Sequence, residues 1–189
     1  EADASGLTFA QMMENAGSGL AQFIFAYYDE PGQKRVLALV GSGNNGGDAL
    51  VALTKLAVRG WQSAAYLNKA RPDTDPLLMR AREAAVDIFC AEDDPGFTHL
   101  GMLLEMYAVL LDGILGTGLH LPLRAETAAL LGFAKNKIFD LEERPHGVAV
   151  DCPSGVDCDT GEVAPETIPA ELTVTMAAIK QGMLRFPAA

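Results

Sequence analysis

Three segments of this 189-residue chain gather side chains able to do chemistry, and each directly follows a short apolar run. Gly41-Ser42-Gly43-Asn44-Asn45-Gly46-Gly47-Asp48 comes after Arg35–Val40. Asp112-Gly113-Ile114-Leu115-Gly116-Thr117-Gly118 comes after Ala108–Leu111, and Asp151-Cys152-Pro153-Ser154-Gly155-Val156-Asp157 after Gly147–Val150. The first satisfies the spacing of a dinucleotide fingerprint, whose glycines let backbone N–H groups approach a pyrophosphate at a helix N-terminus. Its usual companion, an acidic residue about 20 positions on that binds the ribose hydroxyls, is replaced by Leu67-Asn68-Lys69. That disfavours a plain NAD-dependent dehydrogenase, although Lys69 or Arg71 would offer charge to a 2′-phosphate. A tight turn alone would account for the glycines, but Asn44, Asn45 and Asp48 add more polar function than a turn needs.

The second segment places the carboxylate of Asp112 at the end of an apolar strand, where an Asx-turn is the plainer explanation. Gly116-Thr117-Gly118, N–H-rich and followed by the rigid Pro122, resembles a wall for a phosphate or ribose. In the third, Pro153 ends the ladder and Asp151 and Ser154 face the rim; a purely structural turn is the competing reading. If these strand ends are neighbours, Asp48, Asp112 and Asp151 converge. Like charges repel, so either one carboxyl keeps its proton or a cation sits among them. Oxygen donors from Asn45, Asp112 and Ser154, without His or Cys, suit an alkali or alkaline-earth ion rather than zinc. His99, His120 and His146 are scattered, with only His120 near a motif. Cys152 is expected to pack as a small apolar group on the buried face. Lys180 is either a solvated lysine or a cation aimed at the site.

The elements that must position these groups alternate. Apolar residues at spacings of three and four predict a helix over Thr8–Tyr28, and Pro31-Gly32 a turn. Strands are expected at Arg35–Val40, Ser63–Leu67, Asp87–Phe89, Ala108–Leu111, Gly147–Val150 and Leu172–Met176. Helices are expected at Asp48–Arg59, Pro76–Ala85, Thr98–Met106 and Arg124–Lys137. This alternation predicts one α/β domain over residues 1–189: a Rossmann-like, doubly wound, mostly parallel sheet with helices on both faces, in three α/β/α layers. Ligands of such sheets collect beyond the carboxyl ends of the strands, where strand order reverses.

Composition narrows the partners. Fourteen Lys+Arg against 25 Asp+Glu leave a net charge of −11, which repels polyanions, so neither nucleic acid nor an anionic membrane is expected. The longest apolar stretches are about half a bilayer span. Three cysteines without paired spacing fit a reducing, cytoplasmic setting. The first residues show no basic or apolar leader, although a removed leader stays open because Glu1 is not an initiator Met.

Taken in order, Met13-Glu14-Asn15-Ala16-Gly17, Gly43–Asp48, Asp112 with Gly116-Thr117-Gly118, Asp151–Asp157, and Thr173-Val174-Thr175 with Lys180-Gln181-Gly182 resemble the NAD(P)H-hydrate epimerases, the YjeF N-terminal domain. The resemblance covers almost the whole chain. It implies an isomerase that interconverts the R and S forms of hydrated NADH and NADPH, a repair step preceding a fused or separate dehydratase. It also implies a homodimer and a bound potassium ion. Carried over by motif, Asn45, Asp112 and Ser154 would hold the ion. Asn44, Asn45, Gly46, Gly47 and Asp48, then Gly116, Thr117, Gly118, Leu119, His120, Leu121 and Pro122, and finally Asp151 would contact substrate.

The chain departs from the family pattern at Ala49, where glycine is usual, and at Ala170-Glu171, where Ala-Asp is usual. Its ends suggest a clipped domain or one half of a bifunctional protein. Inverting the hydrated carbon requires its C–O bond to break and re-form on the other face, through a planar iminium or a transient ring opening. Asp151, crowded by carboxylates, is expected to protonate the leaving oxygen and then to direct water back. Two other readings stand beside this one: an NADP-linked oxidoreductase, and a non-catalytic scaffold of the same fold.

Overall fold

The computed structural model describes residues 6–30 and 33–188; the turn expected at Pro31-Gly32 lies outside them. Helix α1 (Phe9–Tyr28) opens with a capping box. The Thr8 hydroxyl accepts from the Gln11 amide at 3.2 Å, and the Gln11 side chain accepts from the Thr8 amide at 2.8 Å, so two N–H groups without helical partners are satisfied at once. There follow β1 (Arg35–Val40), α2 (Asn44–Val58), β2 (Gln62–Leu67), α3 (Pro76–Glu83), β3 (Asp87–Cys90), α4 (Thr98–Met106), β4 (Val109–Gly113), α5 (Ala125–Asp140), β5 (His146–Val150) and β6 (Leu172–Val174). Pro76 occupies the first turn of α3, and the Asp75 carboxylate caps it by accepting from the Leu77 amide at 2.9 Å.

All strand pairs are parallel and the order is β3-β2-β1-β4-β5-β6. The chain winds outward from β1 in one direction and, after β4, in the other, so the order reverses between β1 and β4. Alternation along the strands divides the core. Val36, Ala38 and Val40 pack with Leu20 and Ile24 of α1 and Leu50 and Leu53 of α2 on one face. Leu37 and Leu39 pack with Leu100 and Leu104 of α4 and Leu130 and Leu131 of α5 on the other. Helices therefore cover both faces, and the three-layer expectation holds. It follows that the apolar runs read as strands because both of their faces are buried.

Most boundaries shift by a few residues from the sequence reading, and three of the shifts bear on the site. Helix α2 begins at Asn44 rather than Asp48, which makes Asn44-Asn45-Gly46-Gly47 its first turn instead of a loop. The cause is steric. The backbone of Gly46 passes so near that of Gly41 that an added Cβ would lie 2.0 Å from the Gly41 carbonyl oxygen, and only glycine lets the helix start this close to the strand. Strand β4 continues to Gly113 and so holds Asp112 in register with Leu39 of β1. The last strand closes at Val174 rather than Met176, because the Asp151 carboxylate takes the Met176 amide.

Candidate active site at the strand ends

Beyond the carboxyl ends of β1, β4 and β5 the surface opens into a cavity of about 1350 Å³. Asn44, Asn45 and Asp48 of α2 form part of its wall, Gly116 to His120 another part, and Asp151 a third. Six of the sequence-predicted residues do not line it. Gly46 and Gly47 are buried in packing, Gly47 against the Met13 side chain, and Leu121 and Pro122 lie outside the wall. Ser154 is fully buried, and with Asp112 it stands behind the wall.

These buried groups knit the three strand ends together. Ser154 donates its amide to Asp112 Oδ2 at 2.7 Å and its hydroxyl to Asp112 Oδ1, while its Oγ accepts from the Leu115 amide at 2.9 Å. Asn45 Nδ2 donates to the Leu115 carbonyl at 2.8 Å and the Val150 carbonyl at 2.7 Å. One asparagine thus ties the start of α2 to the segment after β4 and to the end of β5. Gly116 permits this approach, since a Cβ there would lie 2.7 Å from Asn45 Oδ1.

Burial pushes the Asp112 carboxyl up, against the hydrogen bonds from Ser154 and Ile114 that favour its charged form. Among the described residues no Lys, Arg or His is ion-paired to it. A buried carboxylate with neutral oxygen donors around it is the environment that a hard monovalent cation would complete. Asp112, the Asn45 Oδ1 and the Ser154 hydroxyl supply oxygens only. The described residues bring together no group of three His, Cys, Asp or Glu side chains suited to a metal ion.

Asp151 sits on backbone with φ of +67°, a left-handed conformation that aspartate adopts more readily than most residues. Its Oδ1 accepts from the Met176 amide at 2.8 Å and from the Lys180 ammonium. Lys180 Nζ also donates to the carbonyls of Met176 and Ala178, each at 2.9 Å. All of its donors are therefore committed, and the choice left open by sequence is decided in favour of the site. The charge of Asp151 is felt at Asp48. Asp48 is only 7% exposed, and its carboxyl receives no hydrogen bond from any described residue. Burial, and then the charge of Asp151, push it up to about 7.

Other candidates separate. Lys69 lies on the cavity wall in an exposed pair with Glu126 at 2.9 Å. Arg71 turns away to Asp75 at 3.2 Å and to the Ser42 carbonyl. His99 pairs with Asp94 and His146 with Glu171, while His120 is exposed on the cavity wall. Cys152 is buried beside Cys158, and burial pushes its thiol up, away from nucleophilic use. The sequence reading missed the contribution of the Met176 amide, which no side-chain pattern could announce.

A parallel sheet wound in this order, with glycine-spaced backbone, an anchored carboxylate and a second, protonatable carboxyl at the reversal of strand order, defines a Rossmann-like protein built to act on a nucleotide-type ligand. The profile of the YjeF-related protein N-terminus matches residues 9–182, and the chain belongs to that family. An NAD(P)H-hydrate epimerase of Clavibacter sepedonicus is 38% identical over 187 residues, which is 94% of this chain and 76% of the relative. One of Cenarchaeum symbiosum is 35% identical, covering 91% of this chain and 76% of the relative. A bifunctional NAD(P)H-hydrate repair enzyme of Pyrobaculum aerophilum is 33% identical over 92% of this chain, but only 34% of its own length is matched. The crystal structure of a yeast protein shares the fold, with a TM-score of 0.79 at 23% identity over 95% of this chain and 75% of that one.

Proposed function

We propose that this chain is an NAD(P)H-hydrate epimerase, an isomerase that interconverts the R and S forms of hydrated NADH and NADPH. Family membership and relatives bearing that name over three quarters of their length support the activity. The observation that carries the site assignment is the anchored carboxylate of Asp151, fixed by the Met176 amide and Lys180 at the wall of a cavity large enough for a dinucleotide.

In this reading the substrate lies along Asn44, Asn45 and Asp48, with the Gly116–His120 segment and Asp151 on the other walls. Gly46, Gly47, Leu121 and Pro122 act as supports. Asp151 is the catalytic residue, exchanging a proton with the oxygen that leaves and returns at the hydrated carbon. The Asp151 carboxylate beside the ring favours the cationic iminium over the neutral hydrate, a stabilisation that grows toward the transition state. Asn45, Asp112 and Ser154 would hold a potassium ion, which when bound supplies positive charge beside Asp112. The chain's own residues do the rest: Asn45 and Ser154 hold the strand ends in place and Lys180 orients Asp151.

A homodimer is supported by the exposed Phe9, Phe25 and Tyr27 along α1, and a cytoplasmic setting by three free cysteines. No described helix is long and apolar enough to cross a membrane. A dehydratase consuming the S form is the expected partner.

The test is chromatographic conversion of the R hydrate to the S hydrate by wild type, Asp151→Asn and Asp151→Ala. Conversion by wild type and its loss in both variants is expected. No conversion by the intact protein would promote the scaffold reading, and an absorbance change at 340 nm the oxidoreductase reading.

A further inference from the structure

We propose that Asp48 is a second catalytic residue of this reaction: it gives its proton to the departing hydroxyl, while Asp151, neutralised by Lys180, takes a proton from the water that returns. The inference rests on the epimerase reading and divides between two carboxyls the work that sequence assigned to one.

Geometry separates the two groups. Asp151 commits Oδ1 to a backbone amide and an ammonium, an arrangement that fixes its carboxyl at the wall and suits a base. Asp48 stands on a different element, one residue beyond the first turn of α2, where the helix dipole has largely faded. It lines the same cavity and is nearly buried, yet no described residue donates to its carboxyl. A buried carboxylate without donors is costly, whereas a buried carboxylic acid is an available hydrogen-bond donor. Its displacement toward 7 under burial and the charge of Asp151 agrees with that state. Pairs of carboxyls pushed apart by their surroundings recur as acid and base partners.

The step balances. The Asp48 proton passes to the substrate hydroxyl, the C–O bond breaks with its electron pair going to oxygen, and water leaves the iminium cation. Water then adds to the opposite face, its oxygen forming the new C–O bond and its proton passing to Asp151. Exchange with solvent through the open cavity restores both carboxyls. The reverse epimerisation follows the same path with the roles of Asp48 and Asp151 exchanged.

The charged and titratable groups that line the cavity with Asp48 are Asp151 from the β5 end, Lys180 beyond β6, and His120, Lys69, Arg124 and Glu126. On α1, which packs against α2, Glu14 is taken up by Lys55 and Arg80. Only Asp151 acts on Asp48 strongly enough to shift it.

The test compares wild type, Asp48→Asn, Asp48→Glu and Asp151→Asn by kcat, KM and pH profile, with NADPH binding as a measure of the intact cavity. The expected result is a wild-type kcat/KM that falls as pH rises above about 7. In Asp48→Asn, kcat drops about 10²- to 10⁴-fold, the alkaline limb disappears, and NADPH still binds. Asp48→Glu should recover part of kcat. An Asp48→Asn enzyme with wild-type kcat, or with a raised KM alone and the limb unchanged, would overturn the role of Asp48 while leaving the epimerase reading intact. Inactive wild-type protein would overturn the function itself.

Discussion

Ser154 grips Asp112 twice across 42 positions of sequence, its amide on Oδ2 at 2.7 Å and its hydroxyl on Oδ1. The same hydroxyl oxygen accepts from the Leu115 amide, so one small side chain fixes the geometry of two strand ends. Both residues are almost wholly buried. Ser154→Ala should strand a carboxylate oxygen and an amide together, and a loss of about 1–3 kcal/mol is expected. Urea denaturation would measure it, and a change within error would show that these bonds exchange evenly with water.

The cation reading has its own readout, independent of turnover. If Asp112, Asn45 and Ser154 close around potassium, thermal unfolding in potassium chloride should come at higher temperature than in tetramethylammonium chloride of equal ionic strength. A cation at 100 times its dissociation constant contributes about 2.7 kcal/mol. The difference should vanish in Asp112→Asn. Equal melting temperatures for wild type in the two salts would remove the ion from the site.

The close passage between β1 and α2 predicts intolerance at one glycine and tolerance at another. In Gly46→Ala the new carbon would meet the Gly41 carbonyl oxygen at 2.0 Å, and backbone has little room to give. A loss of about 3 kcal/mol or more, or failure to accumulate as soluble protein, is expected. Gly43→Ala, where an added carbon meets nothing within 4 Å, should accumulate normally. Similar behaviour of the two would mean that the helix start can shift.

Asp48 also makes stability depend on pH with a definite sign. Its folded value near 7 lies above the ordinary 3.8, so between these values the folded chain binds more protons than the unfolded one. Stability is then fullest below about pH 4 and declines as pH rises to about 7, by roughly 4 kcal/mol. Asp48→Asn should be flat over that window as far as this group is concerned. It should match wild type near pH 4 and exceed it at pH 8, a gain in stability bought with activity. Denaturation at the two pH values checks this; an asparagine variant less stable than wild type at pH 8 would contradict it.

Much of the fold was legible because its signals are local. The run Val36–Val40 is apolar throughout because both faces of β1 are covered, and the three- and four-residue spacing over Thr8–Tyr28 follows from one buried helix face. The start of α2 was not legible. Gly46 and Gly47 are poor helix formers, and only the close passage of their backbone against Gly41 and Met13 shows why a helix begins there.

The candidate site divides along the same line. Sequence by itself determined that Asn45, Asp48, Asp112, Asp151 and Ser154 stand at or near strand ends, since each follows an apolar run that must be buried. It also determined that the donors are oxygens. Only the tertiary structure decided how charge is distributed among them. Lys180 reaches Asp151 because the chain after β6 turns back over the strand ends, and Asp48 is left without a donor because of what packs around it. Burial and the distance between charges set where a proton resides, and both depend on contacts between segments 29 to more than 100 positions apart, which no local pattern encodes.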